Sequence, residues 1–137
     1  MRFEGRVIKH GTNWLVEIPA FDAMTQARTK EEAYEMAQDL IEMMASSRGF
    51  RVTVYPREKE TFEIGANHTG VLVALLLRRQ RERHGVSLAQ ASRRLGQRSR
   101  NAYARYERGQ AIPTVEKLDR LLEVIAPHQA IVWRFVT

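Results

Sequence analysis

The stretch SLAQASRRLGQRSRNAYARYERG, from Ser87 to Gly109, has the pattern of two short helices joined by a turn. Ser87 is a favourable residue before a helix, and Gln90 three positions later completes a capping box. Gly96 follows the first helical pattern and Gly109 follows the second, and glycine readily takes the positive φ with which many helices end. Two such helices around a glycine turn predict a helix-turn-helix motif, whose second helix enters the major groove of DNA.

The second helix of this motif begins with residue types that recognise DNA. We expect Arg100 and Asn101 to contact base edges, because arginine pairs well with guanine and asparagine with adenine. Contacts to phosphate groups are expected from four further side chains, which are Gln90, Arg98, Ser99 and Arg105. Tyr103 and Tyr106 are three residues apart and therefore lie on one face of the helix. A helical hairpin with a solvated basic face is the alternative interpretation.

The charges of the chain are unevenly distributed around a net charge of +6. Residues 1–65 contain 9 Lys and Arg against 11 Asp and Glu, a net charge of −2. Residues 66–137 contain 13 Lys and Arg against 5 Asp and Glu, a net charge of +8. Because a basic surface attracts the phosphate backbone, we predict two domains, 1–65 and 66–137, of which only the second binds nucleic acid.

Composition argues against several classes of site. The chain has no cysteine, so it has neither disulfides nor thiolate metal ligands, a composition typical of cytoplasmic proteins. MRFEGRVIKH at the N-terminus is not followed by an apolar signal core, and the longest apolar run, residues 71–77, is too short to span a bilayer. The four histidines have no ligand-like spacing. We expect a cytoplasmic protein, associated with the nucleoid when bound to DNA, with no catalytic residue, cofactor, metal or membrane contact.

The first half has the pattern of a small α+β domain. Strand patterns cover residues 3–8, 14–18, 23–28 and 51–55. His10-Gly11-Thr12-Asn13 has the composition of a hairpin turn between the first two. Thr29 precedes a helical pattern, with Glu32 as its capping-box partner. The predicted order is β-β-β-α-β, a small antiparallel sheet with one helix on one face, and residues 61–64 are a candidate for a last short strand.

The second half is predicted to be all-α with a C-terminal strand. Helical patterns at residues 70–84 and after Thr114 flank the motif, and Pro127 ends the last of them. IVWRFV, residues 131–136, has the composition of a strand, which needs a partner for its backbone groups. The partner is either the same strand of a second copy or the N-terminal sheet. We favour the second copy, which predicts a homodimer or a higher even-numbered oligomer on palindromic operator DNA.

The motif resembles the helix-turn-helix of the Xre and phage-repressor family. The resemblance rests on Ser87-Leu88, Leu95-Gly96 and Tyr106-Glu107-Arg108-Gly109. The small residue in the middle of the first helix is Ser92 here instead of the usual alanine, and the turn before Tyr-Glu-Arg-Gly is one residue longer. The rotational position of the second helix therefore stays open at the level of the sequence. Repressors of this type act as dimers on operator DNA.

The chain as a whole resembles the HicB family of antitoxins. The N-terminal resemblance consists of a strand hairpin, Pro19, a short segment and then Thr29-Lys30-Glu31-Glu32-Ala33 opening a helix, with Ala20–Met24 in place of the family's usual glycine-containing segment. It implies a partial RNase H-like fold without nuclease activity, which neutralises a HicA-like mRNA-cleaving toxin, and a second domain that represses the operon.

Two other functions remain open at this stage. One is a one-component transcriptional regulator whose N-terminal domain senses a small ligand. The other is an active RNase H-like nuclease, which would need clustered carboxylates and a divalent metal ion.

Overall fold

The computed structural model describes residues 1–137 and divides into two compact units, Met1–Leu76 and Leu77–Thr137. The division lies beyond the predicted boundary at residue 65, because Leu72, Leu75 and Leu76 belong to the hydrophobic core of the first unit. Residues 66–76 contain no Lys, Arg, Asp or Glu, so the two units keep net charges of −2 and +8. None of the helices combines the length and the apolar character needed to cross a membrane.

The predicted α+β fold is confirmed. The elements in chain order are β1 (Phe3–His10), β2 (Asn13–Ile18), a 3-10 helix (Pro19–Phe21), β3 (Ala23–Ala27), α1 (Lys30–Ala45), β4 (Val52–Pro56), β5 (Thr61–Ala66), α2 (Thr69–Arg83), α3 (Leu88–Arg94), α4 (Asn101–Glu107) and α5 (Val115–Ile125). The sheet is antiparallel with the strand order β3-β2-β1-β5-β4. The candidate strand at residues 61–64 is thus present, and it lies inside the sheet between β1 and β4.

Local sequence signals explain how the first unit begins its elements. The β1–β2 hairpin closes with His10 opposite Asn13, and Gly11 supplies a φ of +61° in its two-residue loop. The hydroxyl of Thr29 accepts a hydrogen bond from the Glu32 amide at 3.1 Å and so caps α1. Helix α1 packs against β2, β3 and β4. Its small buried residues, Ala33 and Ala37, allow a close approach to the sheet.

A buried carboxylate lies within the sheet of the first unit. Phe62 and Ile64 of β5 face the hydrophobic core, and Glu63 between them points to the opposite face because side chains alternate along a strand. Glu63 is only 5 % exposed. Arg57 donates to it through Nε at 2.8 Å and Nη2 at 3.0 Å, and Arg2 donates through Nη1 at 3.3 Å. The hydrogen bonds from Arg57 outweigh the effect of burial and hold the pKa of Glu63 below its usual value.

This ion cluster predicts an acid-dependent stability of the first unit. A depressed pKa in the folded state means that Glu63 stabilises the fold above its unfolded pKa, about 4.3, and that this contribution is lost as pH falls through the folded pKa. Replacing Glu63 with Gln should therefore lower the free energy of unfolding at pH 7 and flatten its decline below about pH 4.

Urea unfolding followed by the fluorescence of Trp14 measures this dependence. A Trp133→Phe background leaves Trp14 as the single indole of the chain, which has two tryptophans. Glu35→Gln on the exposed side of α1 is the matched control and should leave the pH profile unchanged. Parallel profiles for Glu63→Gln and Glu35→Gln would contradict a stabilising role of the buried carboxylate.

The predicted C-terminal strand at residues 131–136 is wrong for the single chain. The segment after α5 is irregular, and it is not among the strands of the sheet. Val132, Trp133 and Phe135 are 86 %, 60 % and 106 % exposed. A run rich in aromatic and β-branched residues gives a preference for extended structure, but a strand exists only where another strand accepts its backbone hydrogen bonds. We call residues 129–137 the C-terminal tail.

Candidate nucleic-acid interface

The helix-turn-helix predicted from residues 87–109 is formed by α3 and α4. The hydroxyl of Ser87 accepts from the Gln90 amide at 3.0 Å, and Oε1 of Gln90 accepts from the Ser87 amide at 2.8 Å, so the predicted capping box is confirmed. Gly96 has a φ of +78° just after α3, and Gly109 has a φ of +71° after α4. These two glycines permit the chain reversals that separate α3, α4 and α5.

Helix α4 is held by its aromatic face. Tyr103 and Tyr106 are buried together with Ala104, which confirms that the two tyrosines share one face of the helix. The hydroxyl of Tyr103 donates to the Leu77 carbonyl at 3.5 Å, at the end of α2 that belongs to the second unit. Burial raises the pKa of Tyr103, so this hydroxyl stays protonated and neutral at physiological pH. Asn101 and Arg105 of the same helix are exposed to solvent.

A buried ion pair joins α2 to α4. Nε of Arg81 donates to Oε1 of Glu107 at 2.5 Å, and Nη2 donates to Oε2 at 3.1 Å. The third donor, Nη1, bonds the Val86 carbonyl at 2.9 Å, so one guanidinium binds the partner helix and the α2–α3 loop. The two side chains are 13 % and 8 % exposed, and the hydrogen bonds that Arg81 donates to Glu107 raise the pKa of Arg81.

The sequence alone did not indicate this pair. Arg81 is one of several arginines near the C-terminal end of α2, where cations ordinarily stabilise the helix dipole. The available signal was Glu107, the single acidic residue between Ser87 and Gly109. A lone carboxylate on a basic motif is well placed to compensate one buried arginine.

The residues predicted to read bases lie at the beginning of α4. Arg100 is the N-cap residue and Asn101 the first helical residue, and both side chains are exposed. The hydroxyl of Ser99 accepts from the Asn101 amide at 3.2 Å. Arg98 is exposed in the turn directly before them. Residues 98–101 therefore form one continuous exposed polar segment at the N-terminus of α4.

The two remaining predicted phosphate contacts lie apart from this segment. Oε1 of Gln90 is engaged in the capping box of α3, and the residue is half-buried. Arg105 is exposed one turn further along α4, with its guanidinium 5.0 Å from the centre of the Tyr106 ring. Arg108, which was not among the predicted site residues, donates to Oδ1 of Asn101 at 3.4 Å. The spacing 101, 105 and 108 could have revealed it, because residues at i, i+4 and i+7 share one face of a helix.

Hydrogen bonds of two arginines join α3 of the motif to α5. Nη1 of Arg94 donates to the Val124 carbonyl at 2.7 Å, and Nη2 of Arg120 donates to the Arg94 carbonyl at 3.2 Å. Helix α5 buries Leu118, Leu121, Leu122 and Ile125 as its pattern predicts, whereas Val115 is exposed. Arg94 therefore satisfies a helix-terminal carbonyl and is a structural residue of the domain.

Comparison with known protein families matches residues 72–128 to a helix-turn-helix domain. The matched stretch is less than half of the chain; it includes α3 and α4 and ends before the C-terminal tail. No curated protein matches the chain. The matched stretch and the arrangement of α3 and α4 agree that the second half of this protein contains a helix-turn-helix domain, which indicates a DNA-binding regulator.

Proposed function

We propose that the protein is an antitoxin of a type II toxin–antitoxin system, which neutralises a HicA-like mRNA-cleaving toxin and represses its own operon by binding operator DNA. The observation that carries the proposal is the exposed segment 98–101 at the start of α4, supported from below by the buried Tyr103 and the Arg81–Glu107 pair. Because this support holds the short helix in place, its side chains are already ordered when they enter the groove, and binding loses less conformational entropy.

Operator recognition then proceeds through α4 in the major groove. Arg100 and Asn101 contact base edges, and the net charge of +8 on residues 66–137 attracts the phosphate backbone. Phosphate contacts come from Arg98, Ser99 and Arg105, with Gln90 at the start of α3 as a further donor through its amide nitrogen. This activity is binding, not catalysis, and it needs no cofactor.

The toxin-binding half of the proposal rests on the resemblance to HicB antitoxins. The first unit contains the hairpin of β1 and β2, the segment after Pro19 and a helix capped by Thr29, in the order on which that resemblance was based. Its net charge of −2 makes residues 1–65 a poor partner for DNA and leaves them available for another protein.

The proposed assembly is a homodimer formed through the C-terminal tail, or a higher even-numbered oligomer built from it. The exposed apolar side chains of Val132, Trp133 and Phe135 support it, because a tail of this composition is stabilised when a second strand covers it. Two copies paired about a two-fold axis would also present two α4 helices to the two halves of a palindromic operator.

Base readout by Arg100 has a direct test. Arg100→Ala should cost about 1–3 kcal/mol on the operator and relax sequence specificity, whereas Arg105→Ala should weaken binding to all duplexes alike if Arg105 holds a phosphate. Titration of both variants against operator and scrambled duplexes, at two salt concentrations, gives the specificity ratio and the salt slope. An unchanged ratio for Arg100→Ala would assign base readout to other residues.

Co-expression with the product of the adjacent gene tests the antitoxin role. We expect that product to copurify with this protein and to arrest growth when it is expressed alone. Growth should resume when both proteins are expressed together. DNA binding that responds to a small ligand, without a protein partner, would instead support the one-component regulator. Metal-dependent cleavage of RNA by this protein alone would support the nuclease.

A further inference from the structure

Helix α4 begins next to an arginine that cannot accept a hydrogen bond from its first turn. Arg100 has φ −59° and ψ −26°, and no side chain at that position accepts from the helix. The guanidinium group has donors only. The hydroxyl of Ser99 accepts from the Asn101 amide at 3.2 Å, so the Tyr103 amide of the first turn needs an acceptor from elsewhere.

Ser92 of the preceding helix supplies the missing acceptor. Its hydroxyl accepts from the Tyr103 amide at 3.2 Å and donates to the Arg100 carbonyl at 3.0 Å. Tyr103 is the third residue of α4, so its amide is the one that a hydroxyl at the N-cap would bind. Ser92 is only 1 % exposed, and water therefore does not compete for these two bonds.

We propose that Ser92 is a positioning residue for DNA recognition, because its hydroxyl holds the first turn of α4 from α3 and is bonded to the backbone of Arg100, which contacts bases. This inference rests on the proposed DNA-binding function. The bond to the Tyr103 amide acts as a cap that comes from a neighbouring helix. Arg100 is exposed at the start of α4, where its side chain can reach base edges.

The same two bonds determine where α4 starts. One hydroxyl is bound to the carbonyl of Arg100 and to the amide of Tyr103, which lie on either side of the first turn. Ser92 is itself held within α3, so the first turn of α4 has a defined position and rotation relative to α3. In the structure, the first turn of α4 is therefore bonded directly to α3 as well as through the turn that connects them.

Hydrogen exchange on the full chain tests the cap without DNA. Ser92→Ala should raise the exchange rate of the Tyr103 amide about tenfold and the unfolding equilibrium constant of the second unit by a similar factor. Ser87→Ala is the matched control, since Ser87 caps α3 through the Gln90 amide. Ser87→Ala should reduce the stability of the second unit by a similar amount. It should not produce the faster exchange of the Tyr103 amide beyond what this lower stability explains.

The substitution also separates capping from loss of packing. Alanine differs from serine only by the hydroxyl oxygen, so Ser92→Ala removes the two hydrogen bonds and leaves the buried volume nearly unchanged. A Ser92→Ala protein with wild-type exchange at Tyr103 would overturn the proposed cap.

The role of Ser92 in recognition is tested by measuring the binding of the wild type and the variants to two duplexes. One is DNA from the promoter region of the protein's own operon, and the other is a scrambled duplex. Ser92→Ala should reduce the ratio of operator affinity to scrambled-duplex affinity about tenfold at a temperature where it is folded, and Ser87→Ala should leave this ratio unchanged. Equal ratios for Ser92→Ala and the wild type would overturn the positioning role. If the wild-type protein binds no DNA, the proposed function fails, while the exchange measurements still decide whether Ser92 caps α4.

Discussion

Deleting residues 129–137 should convert the protein to a monomer and lower its affinity for the full operator by a factor of about 10²–10⁴, because two linked half-sites gain roughly that much in avidity. The tail is the most exposed apolar segment of the chain, with Val132 at 86 % and Phe135 at 106 %. The buried side chains of the second unit all precede residue 127. The helices should therefore remain folded after the deletion.

Light scattering and titration of full and half operators measure the two parts of this prediction. Affinity for a single half-site should change little, because each monomer keeps its α4 helix. A full-length variant with Trp133→Glu and Phe135→Glu should reproduce the monomer without shortening the chain, because charges in the paired strand oppose its burial.

Two results would contradict the tail interface. A truncated protein that remains dimeric would place the interface on the helices. A truncated protein that loses its helical circular dichroism would show that the tail stabilises its own protomer.

Glu107→Gln should destabilise the second unit by about 3 kcal/mol, near the lower end of the cost of leaving one member of a buried ion pair without its partner. Arg81 would then keep its charge at 13 % exposure, with the Val86 carbonyl and a neutral amide as its partners. Since a small domain is stable by only about 5–15 kcal/mol, a loss of this size increases the unfolded fraction and reduces operator binding at 37 °C.

The matched control is a carboxylate in an exposed ion pair of the same unit. Glu123 lies 3.2 Å from Arg120, with side chains that are 59 % and 52 % exposed. Glu123→Gln should change stability by less than about 0.5 kcal/mol, because surface pairs in water contribute little. Thermal and urea unfolding of both variants, followed by circular dichroism, gives the comparison, and equal effects would contradict the importance of burial.

A double variant identifies the source of the loss. Replacing both partners, as in Arg81→Met with Glu107→Leu, removes the buried charges together, and such changes are often close to neutral. Recovery of stability in the double variant would assign the effect of Glu107→Gln to the unpaired charge of Arg81. Failure to recover would mean that the double variant also loses the hydrogen bond from Arg81 to the Val86 carbonyl, which Glu107→Gln alone retains.

The sequence by itself determined the features that depend on neighbouring residues. The capping box of Ser87 and Gln90, the cap of Thr29 and the positive φ of Gly96 involve groups a few positions apart. The shared face of the two tyrosines in α4 follows from the period of a helix. The helix-turn-helix and the order of elements in the first unit were therefore predictable, as was the location of the basic charge.

Only the tertiary structure decided the features that join distant positions. The place of β5 between β1 and β4 depends on which strands accept its hydrogen bonds, and the division at Leu76 depends on which core α2 enters. The Arg81–Glu107 pair and the two bonds of Ser92 join residues on different helices. Propensity likewise favoured a strand at residues 131–136, where the fold provides no partner. Local preferences act within a few residues, whereas pairing across helices and strands depends on packing that the complete chain establishes.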